Sequence, residues 1–60
     1  MIVRKNIKEF LAANGASTEE AIVVACAENG VRAERAQRVI ERMTTHGKLV
    51  KTDDNYDLPA

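Results

Sequence analysis

The fold is decided by residues 17–47, which read STEEAIVVACAENGVRAERAQRVIERMTTHG. This stretch holds two helical patterns joined by a short junction, residues 29–32. A short turn containing glycine between two helices is the arrangement of a helix-turn-helix. Cys26 is a small residue at the position where the two helices are expected to be in contact. Gly30 permits the turn, and the apolar side chain of Val31 is expected to fill the junction between the helices. These residues favour a helix-turn-helix, although a plain three-helix bundle could carry the same spacing.

Local signals set the bounds of the two helices. Ser17 and Glu20 have the spacing of a capping box, in which the Ser17 hydroxyl accepts from the Glu20 amide and the Glu20 carboxylate reaches back. This pattern predicts a helix over about residues 18–28. The next pattern predicts a helix over about residues 33–45. Its core-facing side is expected to carry four apolar residues: Ala36, Val39, Ile40 and Met43.

The flanking sequence adds one helix and one hairpin. Apolar residues at helical spacing predict a first helix over about residues 3–13, which Gly15 helps to end. After the third helix, weak alternation over residues 48–52 and 55–58 surrounds an Asp-Asp-Asn turn signal. The expected hairpin, residues 48–58, follows the third helix directly. Residues 1–60 are therefore predicted to form a single domain, mainly α with a small β-hairpin, and specifically a winged helix-turn-helix.

Composition limits the function classes. Sixty residues give no cleft between lobes, and the net charge is zero with nine basic and nine acidic residues. Any affinity for nucleic acid must therefore come from local charge placement. The lone cysteine, Cys26, excludes an intramolecular disulfide and favours a reducing, cytoplasmic location. No apolar run approaches the length of a membrane span, and the N-terminus lacks the apolar core of a signal peptide.

Basic residues gather on the third predicted helix. Arg35, Arg38 and Arg42 form a narrow stripe beside the apolar face, and Arg32 lies just before the helix. Such a stripe is typical of a recognition helix whose arginines reach phosphates or guanine edges in the major groove. The other candidate DNA-binding residues are Gln37, Thr45, Lys48 and Lys51.

The same stripe also fits a solvated face held by ion pairs. Glu34 and Arg38 have the favourable i,i+4 order, and Glu41 lies three residues after Arg38. Each such pair contributes only about 0.2–0.5 kcal/mol. Four arginines near one element of a neutral protein exceed what pairing requires, which slightly favours a binding role.

The sequence shows no group of residues with the types and spacing of a catalytic site. His46 is expected to end the third helix, where an imidazolium would favour the negative end of the helix dipole. One His and one Cys leave a metal site incomplete, and Cys26 among alanines and valines is expected to be a buried inert thiol. We therefore expect a binding module rather than an enzyme, with no cofactor, metal or small-molecule substrate.

Several short motifs resemble one known family. They are Ser17-x-x-Glu20 at the start of the second helix, the Glu28 to Val31 turn, the Glu34 to Gly47 helix, and the Gly47-Lys48-Leu49-Val50 segment. Together they are similar to the winged-helix domain that closes the archaeal minichromosome maintenance replicative helicases. The resemblance implies an appended regulatory or DNA-contacting module in replication or transcription. The acidic tip, Asp53-Asp54, departs from a basic wing that grips phosphates.

The sequence is compatible with two functions. The first is a module that contacts double-stranded DNA through the helix over residues 33–45. The second is a winged helix that binds another protein, or another domain of a parent chain, with little affinity for DNA. The arginine stripe favours the first, whereas zero net charge and the acidic tip favour the second.

Overall fold

The computed structural model describes residues 2–60, in which three helices pack beside a small antiparallel sheet. The fold is mainly α, and each helix packs against the other two. Along the chain the elements are α1 (Val3–Asn14), β1 (Ser17–Thr18), α2 (Glu19–Glu28), α3 (Ala33–Thr45), β2 (Val50–Thr52) and β3 (Asn55–Asp57).

Helix α3 has the bounds expected from its sequence, and its apolar side faces the core. Ala36, Ile40 and Met43 are almost completely buried. Val39, expected among them, is only half-buried and packs at the edge of the core. At about 100° per residue, Val39 lies on the flank of the buried side rather than at its centre. This position matters for the candidate site, because Val39 lies where α3 meets the start of α1.

The start of α2 differs from the predicted capping box. Thr18 is the N-cap, and its hydroxyl oxygen accepts a hydrogen bond of 3.2 Å from the Ala21 amide. Ser17 lies in β1, and its hydroxyl donates to the Gly15 carbonyl oxygen at 2.9 Å. The prediction that Ser17 caps the Glu20 amide was therefore wrong. Because Ser17 pairs with Tyr56 in β3, α2 begins one residue later than predicted.

The sheet has the order β1-β3-β2, with both pairs antiparallel. Strand β1 was not predicted, since two residues are too few to show an alternating pattern. In the observed register Ser17 lies opposite Tyr56, and Thr18 lies opposite Asn55. The link between α1 and α2 is thereby attached to the hairpin that follows α3. This pairing ties the N-terminal half of the fold to its C-terminal end.

The hairpin is shorter than predicted at both ends. Residues Lys48 and Leu49 lie outside β2, because their amides donate to the Met43 carbonyl oxygen at 2.7 and 3.3 Å. These bonds wrap the chain around the end of α3 and bury Leu49 in the core. At the other end β3 stops at Asp57, and the Leu58 amide donates to the Asp57 carboxylate at 2.8 Å.

The junction between α2 and α3 is closed by backbone hydrogen bonds. The Val31 amide donates to the Cys26 carbonyl oxygen at 3.0 Å, and Gly30 has a φ of 82° that a glycine adopts without strain. The side-chain amide of Asn29 donates to the Ala25 carbonyl oxygen at 3.1 Å, so it satisfies an acceptor at the end of α2. Val31 is buried, which confirms the prediction that its side chain fills the junction between α2 and α3.

Within residues 2–60, ten buried apolar side chains form the core, and both aromatic residues lie at its edge rather than inside it. The buried set is Val3, Ile7, Leu11, Ile22, Cys26, Val31, Ala36, Ile40, Met43 and Leu49. No helix within residues 2–60 is long and apolar enough to cross a membrane.

The Ile40→Ala variant tests how α3 is seated on the core. We expect a loss of about 2–5 kcal/mol in the free energy of unfolding, because Ile40 is fully buried and its truncation leaves a cavity. Denaturant unfolding followed by circular dichroism measures the loss. The control is Glu41→Ala, an exposed neighbour whose truncation should change stability by less than about 0.5 kcal/mol. Equal losses in the two variants would mean that α3 is rotated on the core.

The Thr18→Ala variant tests the observed cap of α2. Loss of the N-cap oxygen should lower the free energy of unfolding by about 0.5–2 kcal/mol. Ser17→Ala is the matched control, since it removes a neighbouring hydroxyl that caps no helix, and it should cost less. The reverse order in thermal or denaturant unfolding would restore the capping box at Ser17.

Candidate functional site

The outer side of α3 carries three of the predicted DNA-binding arginines. Arg35, Arg38 and Arg42 are all exposed. At about 100° per residue they fall within roughly 60° of one another around the helix. Ala36 and Ile40 occupy the opposite side and are buried. The burial of one side of α3 therefore forces these three guanidinium groups toward solvent.

The arginines on this side of α3 lack acidic partners among the residues that the structure describes. Within residues 2–60, neither Arg35, Arg38 nor Arg42 makes an ion pair with a carboxylate. The favourable spacing of Glu34 and Arg38 thus does not produce a contact in this structure. The ion-paired face considered from the sequence is not formed, and the guanidinium donors stay available to a ligand.

The remaining predicted residues of α3 divide between two sides of the helix. Thr45, the last residue of the helix, is exposed and falls on the same side as Arg38. Gln37 is also exposed, but it lies about 140–160° from Arg35 and Arg42 around the helix. The structure therefore groups Thr45 with the arginines and separates Gln37 from Arg35 and Arg42.

Arg32 lies at the N-cap of α3 without making a side-chain capping bond. It lines a depression of about 280 Å³ together with Arg35 and residues of the junction. Arg32 thus extends the arginine group past the N-terminal end of the helix.

The two predicted lysines lie after α3, and both are exposed. Lys48 is held close to the end of α3 by its backbone bond to Met43. Lys51 lies opposite Tyr56 in the hairpin, and its ammonium nitrogen is 5.8 Å from the centre of the Tyr56 ring. This distance is within the range of a cation–π interaction, which orients the Lys51 side chain across the hairpin.

The acidic tip of the hairpin has a conformational cause. Thr52 and Asn55 pair across a two-residue turn made of Asp53 and Asp54. Asp53 has a φ of 55°, the left-handed region that aspartate and asparagine enter more readily than most residues. The turn therefore favours an aspartate at this position whatever the hairpin contacts.

A groove lies between α3 and the start of α1, and we call it the α1–α3 groove. Its volume is about 470 Å³. Its lining residues are Ile2, Val3 and Arg4 on one side, and Arg35, Val39, Arg42 and Met43 on the other. The depression that contains Arg32 adjoins it, since both share Val3 and Arg35. Sequence reasoning missed Arg4 as a candidate, because only the packing of α1 on α3 brings it close to the α3 arginines.

Cys26 and His46 are the two residues whose chemistry was considered from the sequence, and they lie in different surroundings. Cys26 is buried, and this burial raises the pKa of its thiol, which makes the nucleophilic thiolate scarcer at neutral pH. His46 is the exposed C-cap of α3, as its position in the sequence suggested. In the part of the chain from Ile2 onward, no group of three or more His, Cys, Asp or Glu side chains is placed to hold a metal ion.

The fold and its exposed arginines define a small helical domain with a three-stranded sheet and a basic helix face. Residues 2–58 match the family model described as DUF5817, C-terminal domain, and the chain belongs to this family. No curated protein and no solved structure matches the chain significantly.

Proposed function

We propose that this domain is a winged helix-turn-helix that binds double-stranded DNA through the outer face of α3. The observation that carries the proposal is the group formed by Arg35, Arg38 and Arg42. These arginines are exposed on one side of α3 and make no ion pair among the residues described. Unpaired guanidinium groups neutralise phosphate charge and donate charge-assisted hydrogen bonds to phosphate oxygens.

The order of the elements supports the winged-helix part of the proposal. Helices α2 and α3 are joined by a four-residue junction, and α3 leads directly into a hairpin. The short strand β1, between α1 and α2, pairs with β3, the last strand of the chain. The sheet therefore has the order β1-β3-β2.

In this proposal α3 enters the major groove and the hairpin lies beside it. Arg35, Arg38 and Arg42 contact phosphates or guanine edges. Lys48 and Lys51 contact flanking phosphates, because both follow α3 on the chain and are exposed. The acidic tip stays clear of the duplex, since carboxylates beside phosphates are repelled.

The proposed cellular setting rests on two features of the sequence. The resemblance to the archaeal helicase domains suggests a regulatory module in DNA replication or transcription. A free cysteine suggests a cytoplasmic location. The proposed domain acts by binding alone, without cofactor, metal or catalysis.

Removing the three arginines tests the proposal directly. Replacing Arg35, Arg38 and Arg42 with Ala should weaken binding to a duplex and flatten its dependence on salt. Loss of three phosphate contacts would reduce the slope of log affinity against log salt by roughly 3, at about 0.9 per phosphate. Arginines that contact bases instead would make the reduction smaller. Fluorescence anisotropy with a labelled duplex over a salt series measures the slope.

The control for lost charge is a variant with Lys5→Ala and Lys8→Ala on the exposed side of α1. It should reduce the slope by much less per charge than the arginine variant does. An unchanged slope in the arginine variant would exclude α3 as the contact surface. Failure of the unmodified domain to bind duplex at low salt would refute DNA binding by this domain.

A further inference from the structure

The α1–α3 groove has an apolar floor that the fold leaves open. Ile2 is 61% exposed, the most exposed large apolar side chain of residues 2–60. Val39 beside it is half-buried, although it lies in the middle of the helix on which the core depends. Together they give the groove an apolar surface, and its volume of about 470 Å³ accommodates one or two large side chains. Burying this surface under a partner would be favourable.

The rim of the groove is cationic. Arg4, Arg35 and Arg42 line it, and Arg32 lies in the adjoining depression. None of the residues that line either depression is acidic. These four arginines also make no ion pair in the chain from Ile2 to Ala60. The nearest acidic residues along α3, Glu34 and Glu41, lie on the far flank of the helix, roughly 140–160° from Val39.

We propose that the α1–α3 groove binds an acidic peptide segment that carries large apolar side chains. The apolar side chains would cover Ile2 and Val39, while flanking carboxylates would accept hydrogen bonds from the arginines of the rim. Arginine and carboxylate form paired, charge-assisted bonds of good geometry, so the rim selects for Asp and Glu on the partner. Carboxylates alone would leave the floor uncovered, and a neutral apolar peptide would leave the guanidinium groups unpaired.

The groove suits a peptide better than it suits a duplex. DNA presents phosphates to arginines, but it has no aliphatic side chain to cover Ile2 and Val39. Arg38, by contrast, is exposed and lies outside the lining of the groove. Arg35 and Arg42 belong to both surfaces. Peptide and DNA would therefore compete, although peptide binding itself does not depend on the proposed DNA binding.

The experiment uses a fluorescein-labelled synthetic peptide in which two leucines are set among aspartates and glutamates. Its binding to the domain is measured by fluorescence anisotropy. The test variant combines Ile2→Ser with Arg4→Gln. Serine is a favoured residue at the N-cap position that Ile2 holds, so the substitution should not weaken α1. The matched control combines Val24→Ser with Arg38→Gln, which removes an exposed apolar residue and an arginine outside the groove.

We expect the peptide to bind the unmodified domain, and its affinity to fall about tenfold in the test variant and less than about twofold in the control. A thermal melt of each variant establishes that it is folded. Equal binding of a peptide with serines in place of the leucines would overturn the proposal, as would equal losses in both variants or no binding at low salt.

DNA binding separates the two proposals. The single variant Ile2→Ser should bind a duplex as the unmodified domain does, whereas Arg38→Gln should weaken duplex binding and spare peptide binding. If Ile2→Ser weakens duplex binding but leaves peptide binding unchanged, the groove belongs to the DNA surface and the peptide proposal fails. Peptide binding without any duplex binding would support the groove proposal and refute the DNA proposal.

Discussion

The burial of one side of α3 determines where the functional groups of this domain can lie. Ala36, Ile40 and Met43 are covered by the other helices and by the chain that follows α3. A helix held on one side must present its opposite side to solvent, and in α3 that side carries the arginines. The proposed DNA surface and the groove beside it both follow from this single packing constraint. A rotation of α3 would bury guanidinium groups without partners, at high cost.

Charge in this domain is separated in space rather than absent. Nine basic and nine acidic residues cancel over the whole chain, but the outer side of α3 and the start of α1 gather unpaired arginines. Four of the acidic residues lie on other elements: Asp53 and Asp54 at the hairpin tip, and Glu19 and Glu20 at the start of α2, where they favour the positive end of the helix dipole. Glu34 and Glu41 lie on α3 itself, on the flank away from the α1–α3 groove. Local fields rather than net charge govern the recognition of a charged partner.

Much of the helical structure could be predicted from sequence because its signals are local. Periodic apolar residues and glycine-containing ends located all three helices to within a residue or two. Strand β1 could not be predicted, because its two residues become a strand only through pairing with Asn55 and Tyr56 far along the chain. The same pairing displaced the cap from Ser17 to Thr18. Long-range contacts therefore account for both errors at the start of α2.

The candidate site was predictable in part for the same reason. The arginine stripe lies on one helix, so its spacing revealed it. The α1–α3 groove joins residues more than thirty positions apart, such as Arg4 and Arg42, and no local pattern reveals that proximity. Val39 shows the limit of periodicity: its spacing placed it in the core, but the packing of α1 leaves it at the edge.

Mapping amide chemical shifts while a short duplex is added to the isotopically labelled domain at low salt tests the role of α3 most directly. We predict that the largest shifts fall at Arg35, Arg38, Arg42 and Thr45, with smaller ones at Lys48 and Lys51. The exposed side of α2 around Val24 should not respond. Shifts centred on α2, or none at any duplex concentration, would contradict the claim that the outer face of α3 is the functional surface.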